Sequence, residues 1–250
     1  MAAHYDNTDA FREASFTSSS LAGAKFRDCD LTGLKVVDSF LVDVNVSGIV
    51  GNFIVNDVDV TPYVEAELDR RNPERVQLRE MRTPDDFRAM WATVERLWAE
   101  TVARAERLPE ARRHERFDDE WSFVETLRHL VFATDAWVSR TIFDEPLPFH
   151  PFGLTHTAYP PTKASELGMD LAARPTYGEV MEVRAGRLAL VRGVVDDLTD
   201  AELARPCTRP PAPGYPEQPR SVGECLRVVM GEECEHRRYM ERDLAALAAT

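Results

Sequence analysis

Hydrophobic and polar positions follow two different periods along this chain. In the first fifty residues, a large apolar residue recurs at every fifth position without a miss. These residues are Phe11, Phe16, Leu21, Phe26, Leu31, Val36, Leu41 and Val46. A spacing of five fits neither the 3.6-residue period of an α-helix nor the two-residue period of a β-strand. It is typical of a square coil with one repeat on each side, and it predicts a short N-terminal β-solenoid.

The segment after the repeats is expected to cap the coil and to connect it to the rest of the chain. Eight steps give only about two turns of coil, so residues 52–60 are predicted to close it. Thr61-Pro62 begins a short helix that Asn72-Pro73 stops. The predicted domains are 1–60 for the repeat segment, 61–82 for a linker with a short helix, and 83–250 for a helical region.

Beyond residue 82, apolar positions recur at the period of amphipathic helices. The predicted long helices are 83–108, 119–143, 176–198 and 221–247. A loop as long as 146–175 is usually functional or partly disordered. A lid or a pocket wall is one interpretation of it, and ordinary surface packing is the preferred one for its His150 and His156. Four long helices with long connections predict a four-helix bundle, and the fold class is therefore α+β in separate regions.

Composition and charge narrow the class of partner. The net charge of −13 argues against a nucleic-acid groove and against an anionic membrane surface, because both need basic patches. No apolar run reaches the roughly 18 residues of a membrane span, and the N-terminus lacks the apolar stretch of a signal peptide. We therefore expect a cytoplasmic protein that acts on a small-molecule substrate. Its four cysteines, which form no CxxC pair, are expected to be free thiols.

Two metal-capable side chains interrupt the apolar stripe of the last predicted helix. Following the helical period from Val222 places Glu232 and His236 among core positions. They are four residues apart and offset by only about 40° around the helix, so their side chains can converge on one point. A buried carboxylate is costly unless it is paired or bound to a metal. A simple Glu–His hydrogen bond on a half-exposed helix is an equally compatible interpretation.

One histidine is suited to provide a third ligand. Of the six histidines, only His129 lies in the middle of a predicted helix among apolar residues. On a helix that faces Glu232 and His236, it would complete a metal site inside the bundle. Glu125, four residues before His129, and Glu233, three before His236, are alternative ligands. Glu232 is preferred because it lies on the apolar stripe.

These segments resemble two known families. The five-residue repeats over about residues 9–50 resemble the pentapeptide-repeat family. Residues 120–130, in which a Trp precedes a helical His-Leu, and residues 232–236 resemble the DinB-like superfamily, which includes the N-terminal domain of mycothiol-dependent maleylpyruvate isomerase. This second resemblance spans about residues 83–250.

The second resemblance implies a four-helix bundle that binds a divalent metal, often zinc or nickel. Carried over by position, the ligands are His129, Glu232 and His236. Many members have a His where this chain has Glu232, and the Glu-x-x-x-His pair is that of the isomerase-like branch. Arg128 and Arg237 are candidates for holding an anionic substrate, although ordinary helix-surface charge explains them as well.

The activities implied by the resemblance are thiol transfer, thiol-dependent isomerisation and hydrolysis. The metal would activate a water or a low-molecular-weight thiol such as mycothiol. The alternative is a non-catalytic binding or scaffold protein that keeps a structural or vestigial metal site. Homodimers are common in both families, so a homodimer is the expected assembly.

Overall fold

The chain folds as two units. The computed structural model describes residues 3–248 apart from 7, 28, 119 and 158. The units are Met1–Val44 and Asn45–Thr250.

The backbone of the N-terminal unit repeats with the period of its sequence. Among the described residues, positive φ recurs at a spacing of five at Glu13, Ser18 and Gly23 and again at Gly33, Asp38 and Asp43, all in non-helical turns. The eight apolar residues of the repeat are 42–60% exposed, and the described residues before 54 contain no strand. The structure thus has the predicted period without the packed interior that we expected, because two turns of coil offer few neighbours to stack on. The β-solenoid itself stays a prediction.

A β-hairpin and two short helices open the second unit. Strands β1 (Ile54–Val55) and β2 (Val58–Asp59) are antiparallel. They are joined by Asn56 and Asp57, whose φ values of 46° and 64° suit a two-residue hairpin turn. Helix α1 (Thr61–Arg71) follows as predicted, with Pro62 in its first turn. Helix α2 (Glu74–Glu80) was not predicted.

The remaining elements are mainly helices. They are α3 (Pro84–Ala105), α4 (Glu110–Arg113), α5 (Phe123–Thr134), a π-helix (Asp135–Ile142), α6 (Pro161–Glu166), α7 (Tyr177–Asp196), α8 (Asp200–Ala204) and α9 (Val222–Ala248). Strands β3 (Pro206–Cys207) and β4 (Arg220–Ser221) form an antiparallel pair before α9, with Cys207 opposite Arg220. Asp119, where the second long helix was predicted to begin, lies outside the described residues. None of the described helices has both the length and the apolar character needed to cross a membrane.

The long helices begin at local capping motifs. Thr83 and Asp86 at α3, Ser122 and Glu125 at α5, and Thr176 and Glu179 at α7 each form a capping box. In each box the hydroxyl accepts from one backbone N–H and the acidic side chain from another, which satisfies donors that a helix start leaves open. These signals explain why the predicted helix starts lie close to the observed ones.

Replacing Ser122 by alanine is expected to destabilise the protein by about 1 kcal/mol, because the buried Ser122 hydroxyl caps α5. Thermal unfolding followed by circular dichroism should show a melting temperature lower by roughly 2–4 °C. Ser122→Thr retains the hydroxyl, so its melting temperature should fall much less. Equal melting temperatures for the two variants would contradict this role of the cap.

The long helices enclose one principal core. Helix α5 packs on α7 and α9, and α3 packs on α9 and α7. The most buried side chains at their centre include Trp91, Val94, Leu127, Leu130, Val180, Val191, Leu226 and Met230. The C-terminal region is therefore helix-rich, as predicted, and α5 and α9 lie side by side.

The second long helix changes its winding halfway. The sequence predicted one continuous α-helix over 119–143, but Asp135–Ile142 is π-helical, with the Phe143 N–H donating to the carbonyl of Val138. Such segments are rare and frequently occur at functional sites. Its first residue, Asp135, is fully buried. The Asp135 carboxylate accepts from Arg187 Nε at 2.6 Å and from the His150 N–H at 2.8 Å.

Candidate metal centre

The structure brings His129 of α5 together with Glu232 and His236 of α9. The Nε2 atom of His129 lies 3.3 Å from Glu232 Oε2, and the Nε2 atom of His236 lies 3.1 Å from the same oxygen. The two imidazole rings are 4.7 Å apart between centroids. Each residue offers a donor atom within 4.8 Å of the other two, and the described residues contain no other group of this kind.

The contact between His129 and Glu232 calls for a cation between them. His129 Nδ1 lies 2.9 Å from the carbonyl oxygen of Leu154, which can only accept, so Nδ1 carries a proton. In a neutral ring Nε2 then presents its lone pair to Glu232, and two lone pairs at 3.3 Å repel. A second proton on the ring or a metal ion between the two atoms removes this repulsion. The bond from Nδ1 to a backbone carbonyl is also the usual outer contact of a metal-ligating histidine.

The donor set fits a zinc-like ion. Two imidazoles and one carboxylate are a known ligand set of catalytic zinc. Two atoms bound to one zinc ion at 2.0–2.1 Å with tetrahedral angles lie about 3.3 Å apart. The two nitrogen–oxygen distances at Glu232 are close to that value. The residues present therefore fit a divalent metal in the type and number of their donor atoms, all of which lie within 4.8 Å of one another.

The site lies at the edge of the core and faces solvent through Glu232. The side chains of His129, His236 and Glu232 are 7%, 19% and 34% exposed. Burial raises the pKa of Glu232, but hydrogen bonding to His129 and His236 outweighs it and holds the pKa well below its usual range. The ring of Trp121 lies 4.8 Å from that of His129 and 6.0 Å from that of His236, so it covers one side of the cluster.

The structure corrects the reason for choosing Glu232 over Glu233. Of these two acids on α9, Glu233 faces the core and is 1% exposed, whereas Glu232 lies at the edge of the buried stripe. Glu233 receives two hydrogen bonds from Arg184 of α7, at 3.1 and 2.5 Å. Its carboxylate is therefore engaged by Arg184 instead of facing the two histidines. Glu125 is occupied too, because it pairs with Arg116 and caps α5. Both alternative ligands therefore have other partners.

The two arginines considered for an anionic substrate are held by the protein. Arg128 is 2% exposed and donates to three backbone carbonyls. Arg237 donates to the carbonyl of Leu97 and to Thr101. Neither side chain therefore has the free, exposed guanidinium that substrate binding would need.

Two long loops form an aromatic wall against α5 and the π-helix. Tyr159 donates to the carbonyl of Pro213 at 2.9 Å, and Tyr215 contacts the rings of His156, Tyr159 and Trp137. Burial, with a further contribution from the charge of Glu232, raises the pKa of Tyr215 to about 12. The loop at 146–175 thus packs against α5 and the π-helix, and its role as a lid or pocket wall stays a prediction. Nothing in the local sequence marks Tyr215, because its position depends on the meeting of two distant loops.

Two family profiles match this chain. A sequence profile of the DinB superfamily matches residues 93–240, which is more than half of the 250 residues. A profile of pentapeptide repeats matches residues 10–48 with eight copies. No curated protein and no solved structure matches the chain. The two matches coincide with the two resemblances stated from the sequence.

Proposed function

The chain belongs to the DinB superfamily, and from this and the His129–Glu232–His236 cluster we propose that it is a metal-dependent enzyme. The observation that supports the proposal most strongly is the shared oxygen of Glu232, which both histidines approach with Nε2. Without a metal, the contact of His129 with Glu232 needs a second proton on the His129 ring, whereas one metal ion satisfies all three side chains at once.

A divalent metal bound there would supply a Lewis acid that lowers the pKa of a coordinated water or thiol. Three protein ligands leave a fourth position for that group, as in catalytic zinc sites. Zinc is the metal we propose first, with nickel second, because two imidazoles and a carboxylate suit both. The proposed co-substrate is a low-molecular-weight thiol such as mycothiol, and the reaction is thiol transfer, isomerisation or hydrolysis.

The residues of the chain have separable roles in this proposal. His129 is oriented by the Leu154 carbonyl, so its Nε2 points to the site without competing hydrogen bonds. Glu232 balances the charge of the ion and is the ligand nearest to solvent. Trp121 lies beside both imidazoles and would limit the access of water on that side of the cluster.

The finer fold assignments belong to the same proposal. We propose domain limits of 1–60, 61–82 and 83–250, with a β-solenoid in the first and a four-helix bundle formed by α3, α5 with the π-helix, α7 and α9. The helix contacts described above support the bundle. The five-residue recurrence of positive φ supports the coil.

Cobalt substitution tests whether the bound metal has a coordination position that an added ligand can take. Titrating cobalt-loaded protein with a low-molecular-weight thiol should produce a thiolate-to-metal charge-transfer band in the near ultraviolet. The S-methylated form of the same thiol is the control and should produce none, since it cannot form a thiolate. If neither the thiol nor azide changes the spectrum, no position is open, and the protein is then a scaffold with a structural metal.

A further inference from the structure

We infer that Arg128 is a positioning residue for the metal site: it holds the loop whose Leu154 carbonyl fixes the ring of His129. The inference rests on the proposed function, since it concerns the geometry of the same ligand. Arg128 precedes His129 directly in α5, and the two side chains contact the same loop. Arg128 acts through that loop and has no contact with the ion itself.

Arg128 joins the two ends of the loop at 146–175. Its Nε donates to the Phe152 carbonyl at 2.8 Å, near the start of the loop. Its Nη1 and Nη2 donate to the carbonyls of Ala173 at 2.9 Å and Asp170 at 3.1 Å, near the end. One planar guanidinium thus bridges segments about twenty residues apart. The ammonium of a lysine, as a single point charge, cannot reach three such carbonyls at once.

The Phe152 end of this bridge continues to His129. Leu154 is two residues further along, and its N–H donates to the carbonyl of Arg128 at 3.2 Å. The Leu154 carbonyl accepts the proton of His129 Nδ1 at 2.9 Å. Arg128 and His129 therefore bind the same short stretch of the loop at Phe152 and Leu154. The position of Leu154 determines the tautomer and the direction of the imidazole.

Neighbouring contacts keep this stretch from adjusting by itself. The Asp135 carboxylate, seven residues after Arg128 on the same side of the helix, accepts from the His150 N–H. At Gly153 a Cβ would lie 3.1 Å from the His150 carbonyl oxygen and 3.1 Å from Met169 Sδ, so the backbone there is tightly enclosed. The stretch 150–154 is thus held at His150, Phe152 and Leu154.

The burial of Arg128 indicates that it serves to hold the loop at 146–175 in one position. A buried cation is costly unless it is paired or hydrogen-bonded, and Arg128 is only 2% exposed. Packing alone would be served as well by an apolar side chain of similar size. The guanidinium instead supplies directional bonds to the loop. Such bonds fix the Leu154 carbonyl more closely than packing does.

The test compares Arg128→Met and Arg128→Lys with a matched control. Arg113→Met is the control, because Arg113 also donates to three backbone carbonyls, those of Ala105, Glu106 and Leu108, in another loop. Cobalt affinity is measured by competition with a chromophoric chelator, and the visible spectrum of the bound cobalt reports its ligand geometry. The tautomer of His129 in the metal-free protein is read from nitrogen-15 NMR.

Both Arg128 variants are expected to bind cobalt about 10- to 100-fold more weakly, as when an outer-shell partner is lost. They should also give an altered spectrum and a mixture of His129 tautomers. Arg113→Met should keep the cobalt affinity, the cobalt spectrum and the His129 tautomer of the wild type, even if its melting temperature is lower. If Arg128→Met does not fold, Arg128→Lys, which keeps the charge and most of the volume, decides the question.

Two results would overturn the inference in different ways. Wild-type affinity, spectrum and tautomer in a folded Arg128 variant would show that Arg128 serves stability alone, while the proposed function would stand. Failure of the wild-type protein to bind cobalt would remove the proposed function. A single His129 tautomer in both wild type and folded variants would then also reject the positioning role.

Discussion

Replacing His236 by alanine is expected to lower the affinity for zinc on the order of 1,000-fold or more. Losing an outer-shell partner already costs 10- to 100-fold, and His236 would be one of three direct ligands. Its Nε2 lies 3.1 Å from Glu232 Oε2, and the described residues contain no second group of three side chains that could hold the ion. The measurement is a competition titration with a zinc chelator, together with the zinc content of the purified protein by elemental mass spectrometry.

The control for this substitution is His114→Ala. His114 is exposed and lies at the end of α4, so its removal also takes away one histidine but leaves the site intact. The control should keep about one zinc per chain, and His236→Ala should keep almost none. Equal zinc content in the two variants would show that the zinc binds elsewhere or without specificity.

Replacing Glu233 by glutamine is expected to destabilise the fold by about 3–5 kcal/mol. Arg184 and Glu233 are 2% and 1% exposed, and the substitution leaves the guanidinium as an unpaired charge in the core. The Trp98 ring, 4.8 Å from the Arg184 guanidinium, cannot replace a carboxylate. For a domain of this size the melting temperature should fall by roughly 10 °C or more, measured by calorimetry.

Two further variants separate the buried pair from ordinary charge effects. Glu100→Gln breaks the exposed pair with Arg96 and should cost less than about 1 kcal/mol. The double variant Arg184→Met/Glu233→Met removes both buried charges and should recover most of the stability that Glu233→Gln loses. A melting temperature for Glu233→Gln equal to that of Glu100→Gln would contradict the importance of the pair.

The helices were predictable because their signals are local. Thr83, Ser122 and Thr176 each precede an acidic residue by three positions and begin a helix where the apolar period starts. The change to π-helix at Asp135 has no such signal. It is supported by tertiary contacts with Arg187 and the His150 N–H, which lie 52 and 15 residues away.

The candidate site was predictable in its residues but not in its surroundings. The i,i+4 spacing of Glu232 and His236 and the helical position of His129 were visible in the sequence. The core-facing position of Glu233 was not, because its partner Arg184 lies 49 residues earlier on α7. The expectation that Glu232 lies in the core was therefore wrong. Periodicity shows which side of a helix is apolar but not which acid on its border has a buried partner.

The length and composition of the loop at 146–175 do not reveal how the loop is attached to the helices. Its prolines and its length indicated a functional loop. Its attachment to Arg128, His129 and Asp135 depends on hydrogen bonds to backbone carbonyls and N–H groups, which any sequence provides. Sequence alone therefore could not assign Arg128 to the loop rather than to a substrate.

The central claim is that one divalent metal binds between α5 and α9. X-ray diffraction from crystals grown with zinc, recorded at the zinc absorption edge, tests it most directly. One strong anomalous peak per chain is expected, surrounded by His129, Glu232 and His236. A peak at any other place, or none while His129 and His236 still share the Glu232 oxygen, would contradict it and leave a protonated Glu–His cluster in a helical scaffold.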